Sequence, residues 1–399
     1  MTHIPMSSPD LTDAEREAVL DVLHGTVLSL GTRTTELERR LADYVGVRHA
    51  VAVSSGTAAL HLSMIANGIG DGDLVITSPF SFIASANCIL YERGIPIFVD
   101  VDAATGNLDP TAVAAAVEDL ASGRDDARRW LPPHLRDADR LDPGALKAIL
   151  PVHAFGQPAD MQPIVDTARR FGLRIVEDAC EALGAEYRGG RTGTFGDTAC
   201  FAFYPNKQMT TGEGGVLVTN DDRIASLCAS LRNQGRDVFD AWLRHTRLGY
   251  NYRLDELSAA LGVVQLSRLD DMLARRARVA AWYDERLRDL DGLDTPHVAE
   301  TTTRMSWFVY VVRFDSAKRR TAAMHALAER EIPARPYFTP IHLQPFYVDR
   351  FGFRRGDFPV TERLGETSLA LPFSSVMTED QVDQVCCQLA SVVREHVVR

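Results

Sequence analysis

Two residues able to do covalent chemistry stand at the ends of apolar runs. Lys207 lies in FAFYPNKQMTTGEGG, just past the run TACFAFY (198–204), on a turn dense in Pro, Asn, Thr and Gly. A lysine is ordinarily a solvated surface charge. One held partly out of water at a strand end is an amine that can add to a carbonyl carbon, which is what holding pyridoxal phosphate (PLP) requires. Asp178 ends the run LRIVED (173–178). Its simplest role is a helix N-cap. Its chemical role is a carboxylate that keeps a pyridine nitrogen protonated and so makes the ring an electron sink. One clear strand lies between them in sequence, so both can project from neighbouring parts of one sheet edge.

Other candidates surround this pair. Ser55-Gly56-Thr57-Ala58 joins the apolar AVAVS (50–54) to the helical run AALHLSMIA. Glycine permits close approach, and free amides at a helix N-terminus bind phosphate, although Ser and Thr are also ordinary caps. Phe82, in SPFSFIASAN, is either core or a platform for a flat ring. GGRTGTFG (189–196) and GEGG (212–215) fit neither GxGxxG nor a Walker pattern, so neither is a nucleotide loop. Of the histidines, His153 and His342 stand out, and a buried structural role accounts for each.

The elements that must position these residues alternate. Strands are expected at 50–54, LVIT (74–77), IPIFVDV (95–101), AILPV (148–152), 173–178, 198–204 and GVLVT (215–219), with helical patterns between most of them, as at 81–91 and 159–170. Thr12-Asp13-Ala14-Glu15 reads as a capping box, and a helix follows at 35–45. Apolar strands alternating with helices imply an α/β fold with a mostly parallel central sheet covered on both faces. Ligands then sit beyond the carboxyl ends of the strands. After about residue 255 the pattern changes to a long helix (254–289), a strand (306–314), a helix (318–330) and a last helix from near Thr378. The expected division is a large domain, 1–255, and a smaller α+β domain, 256–399. Segment 119–146, rich in Arg and Asp, reads as a solvated surface insertion or as a specificity or dimer-contact loop.

With 399 residues, 45% hydrophobic and 24% charged, the composition rules out a disordered or low-complexity chain. A net charge of −11 lacks the basic surplus of a nucleic-acid binder. The N-terminus shows no signal-peptide pattern, and no apolar run approaches the roughly 20 residues of a membrane span. Six scattered cysteines without a CxxC pair fit reduced thiols in a cytoplasmic protein, with no disulfide and no metal site expected.

Taken together, SSGTAALHL, PVHAFGQPADM, VEDACEALGA, FAFYPNKQMTTGEGG, LRNQGR, GYNYRLDE and RPYFTPIHLQPFY resemble, in the same order, the PLP-dependent sugar aminotransferases of the DegT/DnrJ group, which are fold-type-I enzymes. The likeness runs from about Ile4 to the last helix. It implies that Lys207 is the Schiff-base lysine, that Asp178 partners the pyridine nitrogen and that Phe82 stacks on the ring. Gly56, Thr57 and Ala58 would hold the phosphate. Asn251 would reach it from a neighbouring subunit, with Arg253 near that interface, so that a homodimer shares its active sites.

Two positions depart from the group's common pattern. Ala202 stands where Ser is frequent, which removes a phosphate hydroxyl and leaves Asn206 or backbone groups to compensate. Glu181 stands where Gln is frequent, near the PLP 3′-oxygen. His342, Arg253 and Tyr337 are the substrate-side candidates. The implied reaction moves an amino group from L-glutamate or glutamine to a keto-sugar, a nucleotide-linked keto-deoxysugar. Dehydratases of the same group carry His at the lysine position, so Lys207 argues against that branch. A PLP-binding regulator would carry a basic helix-turn-helix segment ahead of the core, and none precedes it. A cyclitol or other non-nucleotide ketone stays open as acceptor.

Overall fold

Continuous apolar strands make the centre of the molecule because both of their faces are covered. The computed structural model describes residues 4–137, 142–237 and 244–395. In chain order come α1 (Asp13–His24), α2 (Thr32–Val45), β1 (His49–Val53), α3 (Gly56–Ala66), β2 (Leu74–Thr77), α4 (Ala84–Tyr91), β3 (Ile95–Phe98), α5 (Pro110–Ser122), β4 (Leu146–Leu150), α6 (Met161–Phe171), β5 (Arg174–Asp178), β6 (Glu186–Tyr187), β7 (Gly190–Arg191), β8 (Thr198–Ala202), β9 (Gly215–Thr219) and α7 (Asp222–Leu231). Then follow α8 (Glu256–Ser267), α9 (Leu269–Leu287), β10 (Leu293–Asp294), β11 (Thr302–Arg304), β12 (Tyr310–Phe314), α10 (Ala317–Glu329), α11 (Pro345–Phe351), α12 (Pro359–Thr367), β13 (Ser368–Leu371) and α13 (Glu379–Glu395).

The main sheet has the order β1-β9-β8-β5-β4-β2-β3. β9 is antiparallel to both of its neighbours, and the other pairings are parallel. Residues alternate between two apolar layers. Val75, Leu150, Val176 and Leu217 pack on α3, α4 and α7. Ile76, Ile149, Phe201 and Val216 face the layers made by α2, α5, α6 and α8. The second half of α9 leaves these layers and joins β12, β13, α10 and α13 in a separate C-terminal core.

Three expected extents are corrected by long-range contacts. The helix expected over 254–289 is two helices, α8 and α9, broken at Arg268, whose guanidinium is engaged by Asp10 and Glu15 from the N-terminal segment. The strand expected over 306–314 starts only at Tyr310, because the amides of Ser306 and Phe308 bond to the carbonyls of Gly156 and Phe155. Segment 119–146 is not wholly solvated: Ala127 and Leu131 are buried in the α5–α6 layer, and the ring of His134 meets the Arg350 carbonyl at 3.3 Å. Residues 138–141 of that segment lie outside the described residues.

The glycine-rich run 189–196 binds an anion of its own chain. Glu177, fully buried in β5, accepts the amides of Gly193, Phe195 and Gly196, each at 2.8 Å, and meets His153 Nε2 at 3.1 Å. His153 Nδ1 accepts the Ala159 amide, which confirms a structural part for that ring. Glu177→Gln puts an NH₂ group against one of these donors. We expect it to lower unfolding stability by about 2–3 kcal/mol in urea titration.

The capping box at α1 is present, and Glu15 also accepts from Gln265. Burial alone would raise the pKa of Glu15, but bonds from Thr12, Gln265 and Arg268 bring it from 4.5 down to about 2. A carboxyl lowered in the folded state stabilises it above its unfolded pKa and loses that contribution as pH falls through the folded one. The stability gap between wild type and Glu15→Gln should therefore be full at pH 7 and shrink between about pH 4.5 and 2. A gap unchanged at pH 3 would contradict this.

Candidate active site

β5 and β8 are neighbours, with Asp178 paired to Cys200, so the segments leaving their carboxyl ends face one cavity of about 420 Å³. Asp178 is 5% exposed. Its Oδ2 accepts the Ser85 hydroxyl at 2.6 Å, and its Oδ1 accepts the Cys180 amide at 3.1 Å. The carboxylate is thus fixed from α4 and from its own turn. Burial pushes the Cys180 thiol far above its ordinary pKa, which makes it a poor nucleophile.

Lys207 sits one turn beyond β8, its amide bonded to the Tyr204 carbonyl. Its Nζ lies 3.6 Å from Glu181 Oε1 and 3.8 Å from the centre of the Phe308 ring. Glu181 Oε2 accepts the Phe155 amide at 2.9 Å. Burial raises the Glu181 pKa, and the Lys207 ammonium opposes that rise. Lys207 is the one basic side chain among the described residues that line the cavity.

The turn from β1 into α3 forms one wall. Ser55 caps the helix: its Oγ accepts the Ala58 amide at 3.1 Å. That leaves the amides of Gly56 and Thr57, which have no carbonyl four residues back in the helix, as the donors at the cavity. A Cβ on Gly56 would stand 2.7 Å from Ala202 Cβ and 2.9 Å from Cys180 Sγ. One on Gly215 would strike the Ser55–Gly56 backbone at 2.5 Å. Gly56→Ala must therefore move the turn. We expect it to weaken PLP retention at least about tenfold, read by titrating the cofactor-free chain.

Phe82, 62% exposed, lines the cavity together with Tyr337 and Phe338. Asn206 also lines it, and its buried Oδ1 has no partner.

A model of the DegT/DnrJ/EryC1/StrS aminotransferase family matches residues 9–390. The chain belongs to this family. GDP-perosamine synthase of Caulobacter vibrioides is 39% identical over 397 residues, covering 98% of this chain and 99% of that one. The solved structure of DesV from S. venezuelae is 32% identical with a TM-score of 0.85, covering 98% of this chain and 99% of DesV. The PLP form of the putative sugar aminotransferase Spr1654 from Streptococcus pneumoniae is 25% identical with a TM-score of 0.86, over 98% and 99% of the two chains. The fold is that of the PLP-dependent aminotransferases.

As a DegT/DnrJ-type aminotransferase, the chain offers residues that fit PLP. Two helix-terminal amides face a close-packed glycine cradle, a fixed buried carboxylate and a lysine amine share one space, and an open aromatic face lies beside them. Gly56, Thr57, Phe82, Asp178, Glu181, Asn206, Lys207 and Tyr337 are brought together. Ala58 is not: its amide is spent on the Ser55 cap and its side chain is buried. His342 is withdrawn from the substrate set, because it is fully buried with Nε2 bonded to Glu362 at 3.0 Å and does not line the cavity. Asn251 is exposed, bridged to Asn233, and Arg253 donates to Asn233 Oδ1 at 3.0 Å; neither lines the cavity of its own chain.

Sequence reasoning missed Ser85 and Phe308. Ser85 stands one helical turn past Ser81 and bonds to it at 2.8 Å, a spacing visible in SPFSFIASAN. Among the described residues no helix is long and apolar enough to cross a membrane.

Proposed function

We propose that this aminotransferase uses PLP to move an amino group from L-glutamate, or glutamine, to a keto-sugar carried on a nucleotide, a reading supported by a relative whose name, GDP-perosamine synthase, is that of a GDP-linked product. The observation that carries the reading is one cavity in which the Lys207 amine and the Asp178 carboxylate are both presented, with the α3 amides beside them. Bound there, PLP supplies an aldehyde that exchanges nitrogen and a ring that takes up the electrons of a broken C–H bond.

The chain's residues do the rest. The amides of Gly56 and Thr57 and the side chain of Asn206 hold the phosphate. Asp178 Oδ atoms, already oriented by Ser85 and the Cys180 amide, hold a proton on the ring nitrogen. Phe82 covers one face. Lys207 Nζ would be the base that takes a proton from the donor's α-carbon, and it would hold that proton for return. Glu181 would hold that ammonium while Nζ is free, with the Phe308 ring against it.

The same reading has Asn251 and Arg253 completing the site of a second copy in a cytoplasmic homodimer, and Tyr337 meeting the acceptor. It also divides the chain into a large PLP-binding domain and a smaller C-terminal one, a division supported by the separate apolar core around α13. The purified protein should be yellow, and borohydride should fix the cofactor to the Lys207 peptide. Glutamate should shift the spectrum to the pyridoxamine form, and a panel of keto-sugar nucleotides and keto-cyclitols should return one accepted class. Absence of a Lys207 adduct would overturn the reading.

A further inference from the structure

We propose that Arg276 is a positioning residue for Lys207, closing a ring of contacts that fixes where the Nζ amine stands. The proposal rests on the reading of Lys207 as the reacting amine. Arg276 projects from α9 and is 2% exposed. Its guanidinium faces backbone carbonyls from two distant segments. Nη2 donates to the Lys207 carbonyl at 2.7 Å and to that of Asn206 at 3.4 Å. Nη1 donates to the carbonyls of Trp307 at 3.1 Å and Phe308 at 3.2 Å. Burial lowers its pKa to about 10, opposed by Asp10, so the group is charged at neutral pH. Four backbone carbonyls meet the Nη donors of this buried guanidinium, and its buried Nε has no partner.

The contacts form a closed circuit. Lys207 Nζ meets Glu181 at 3.6 Å, and Glu181 accepts the Phe155 amide at 2.9 Å. The Phe155 carbonyl accepts the Phe308 amide at 3.1 Å. The Phe308 carbonyl accepts from Arg276, and Arg276 returns to the Lys207 carbonyl. Inside the circuit the Phe308 ring lies against Nζ. Both ends of the lysine are therefore held, the backbone by Arg276 and the amine by Glu181 and Phe308.

The Trp307–Phe308 stretch is itself tightly determined. Trp307 has φ +49°, uncommon for a residue with a Cβ. A Cβ on Gly156 would stand 2.7 and 2.8 Å from the Trp307 and Phe308 amide nitrogens. Such backbone persists where its surroundings leave no alternative. During transamination the Lys207 side chain must leave and return in each cycle. A turn clamped at its carbonyl brings the amine back to the same point, and misplacement by about 1 Å is enough to cost about 10²-fold in rate.

The test compares holoenzymes of wild type, Arg276→Gln and Arg276→Lys. Arg276→Gln should lower kcat about 10²-fold with the donor KM within about threefold. It should also move the pH midpoint of the visible absorption band by about one unit, because the amine's surroundings change. Arg276→Lys should fall between, since an ammonium with three donors cannot span two pairs of carbonyls. If Arg276→Gln does not fold, Arg276→Lys, which keeps charge and bulk, carries the test. A folded Arg276→Lys enzyme with wild-type kcat and midpoint would overturn the proposal. Borohydride trapping on wild type tests Lys207 alone. An adduct at Lys207 together with an unmoved Arg276→Lys enzyme would therefore remove this inference and leave the proposed function standing.

Discussion

Lys207→Ala should lower transamination by at least about 10⁴-fold, to the level of the cofactor free in solution. Proton transfer by a positioned group is worth about 10²–10⁴-fold, and loss of the covalent attachment adds to it. No neighbour can substitute, because the other charged groups lining the cavity, Asp178, Glu181 and Glu213, are carboxylates. The variant also leaves Glu181 buried with no ammonium to oppose the upward push on its pKa, so that carboxyl should keep its proton to higher pH than in the wild type. Lys207→Arg separates charge from nucleophilicity: it keeps a cation beside Glu181 but cannot condense with an aldehyde. Both variants should lose turnover equally, and only the alanine variant should show the upward shift of the Glu181 carboxyl. Single-turnover kinetics with glutamate, checked against circular dichroism for folding, decides the matter. Turnover within tenfold of wild type in either variant would remove Lys207 from its role.

The placement of Lys207 and Asp178 was legible because Asp178 closes one apolar strand and Lys207 follows another, and a strand end in a parallel sheet has a known address. What holds them was less legible. Ser85 lies near in sequence to Phe82 but bonds to Asp178, which is far along the chain. Phe308 was hidden inside an apolar run that looks like a strand throughout, yet Trp307 breaks that run with a left-handed backbone. Arg276 looks like any helix arginine, and only the fold shows that it points inward. Periodicity also could not see the break at Arg268, since its partners Asp10 and Glu15 come from the other end of the chain.

The glycine-rich run 189–196 teaches the same lesson in reverse. Its spacing fits no nucleotide loop, but the anion its amides serve, Glu177, sits on a strand that reads as plain core. At Ser55–Ala58 the capping and phosphate-binding readings proved compatible. Ser55 takes the third amide of the helix, and the first two stay free for a ligand.

Asp178→Asn carries the second large effect: kcat should fall about 10³-fold while borohydride still fixes the cofactor to Lys207. Removing one oriented charge from a water-poor site costs about 10²–10³-fold where charge builds up. Here the loss should reach the upper end, because the substitution also disturbs the contacts that orient the group. The native carboxylate accepts from Ser85 on one oxygen and from the Cys180 amide on the other. An asparagine must place its NH₂ against one of these donors, or turn and present that NH₂ to the ring nitrogen, where an N–H can no longer be held. Ser85→Ala leaves the charge in place and frees only its orientation, so its loss should be smaller, about tenfold. The ordering Asp178→Asn well below Ser85→Ala, with Lys207 trapped in both, separates an electrostatic role for Asp178 from a merely architectural one. Equal losses in the two variants would mean that orientation alone matters, and that the carboxylate's charge does nothing for the ring.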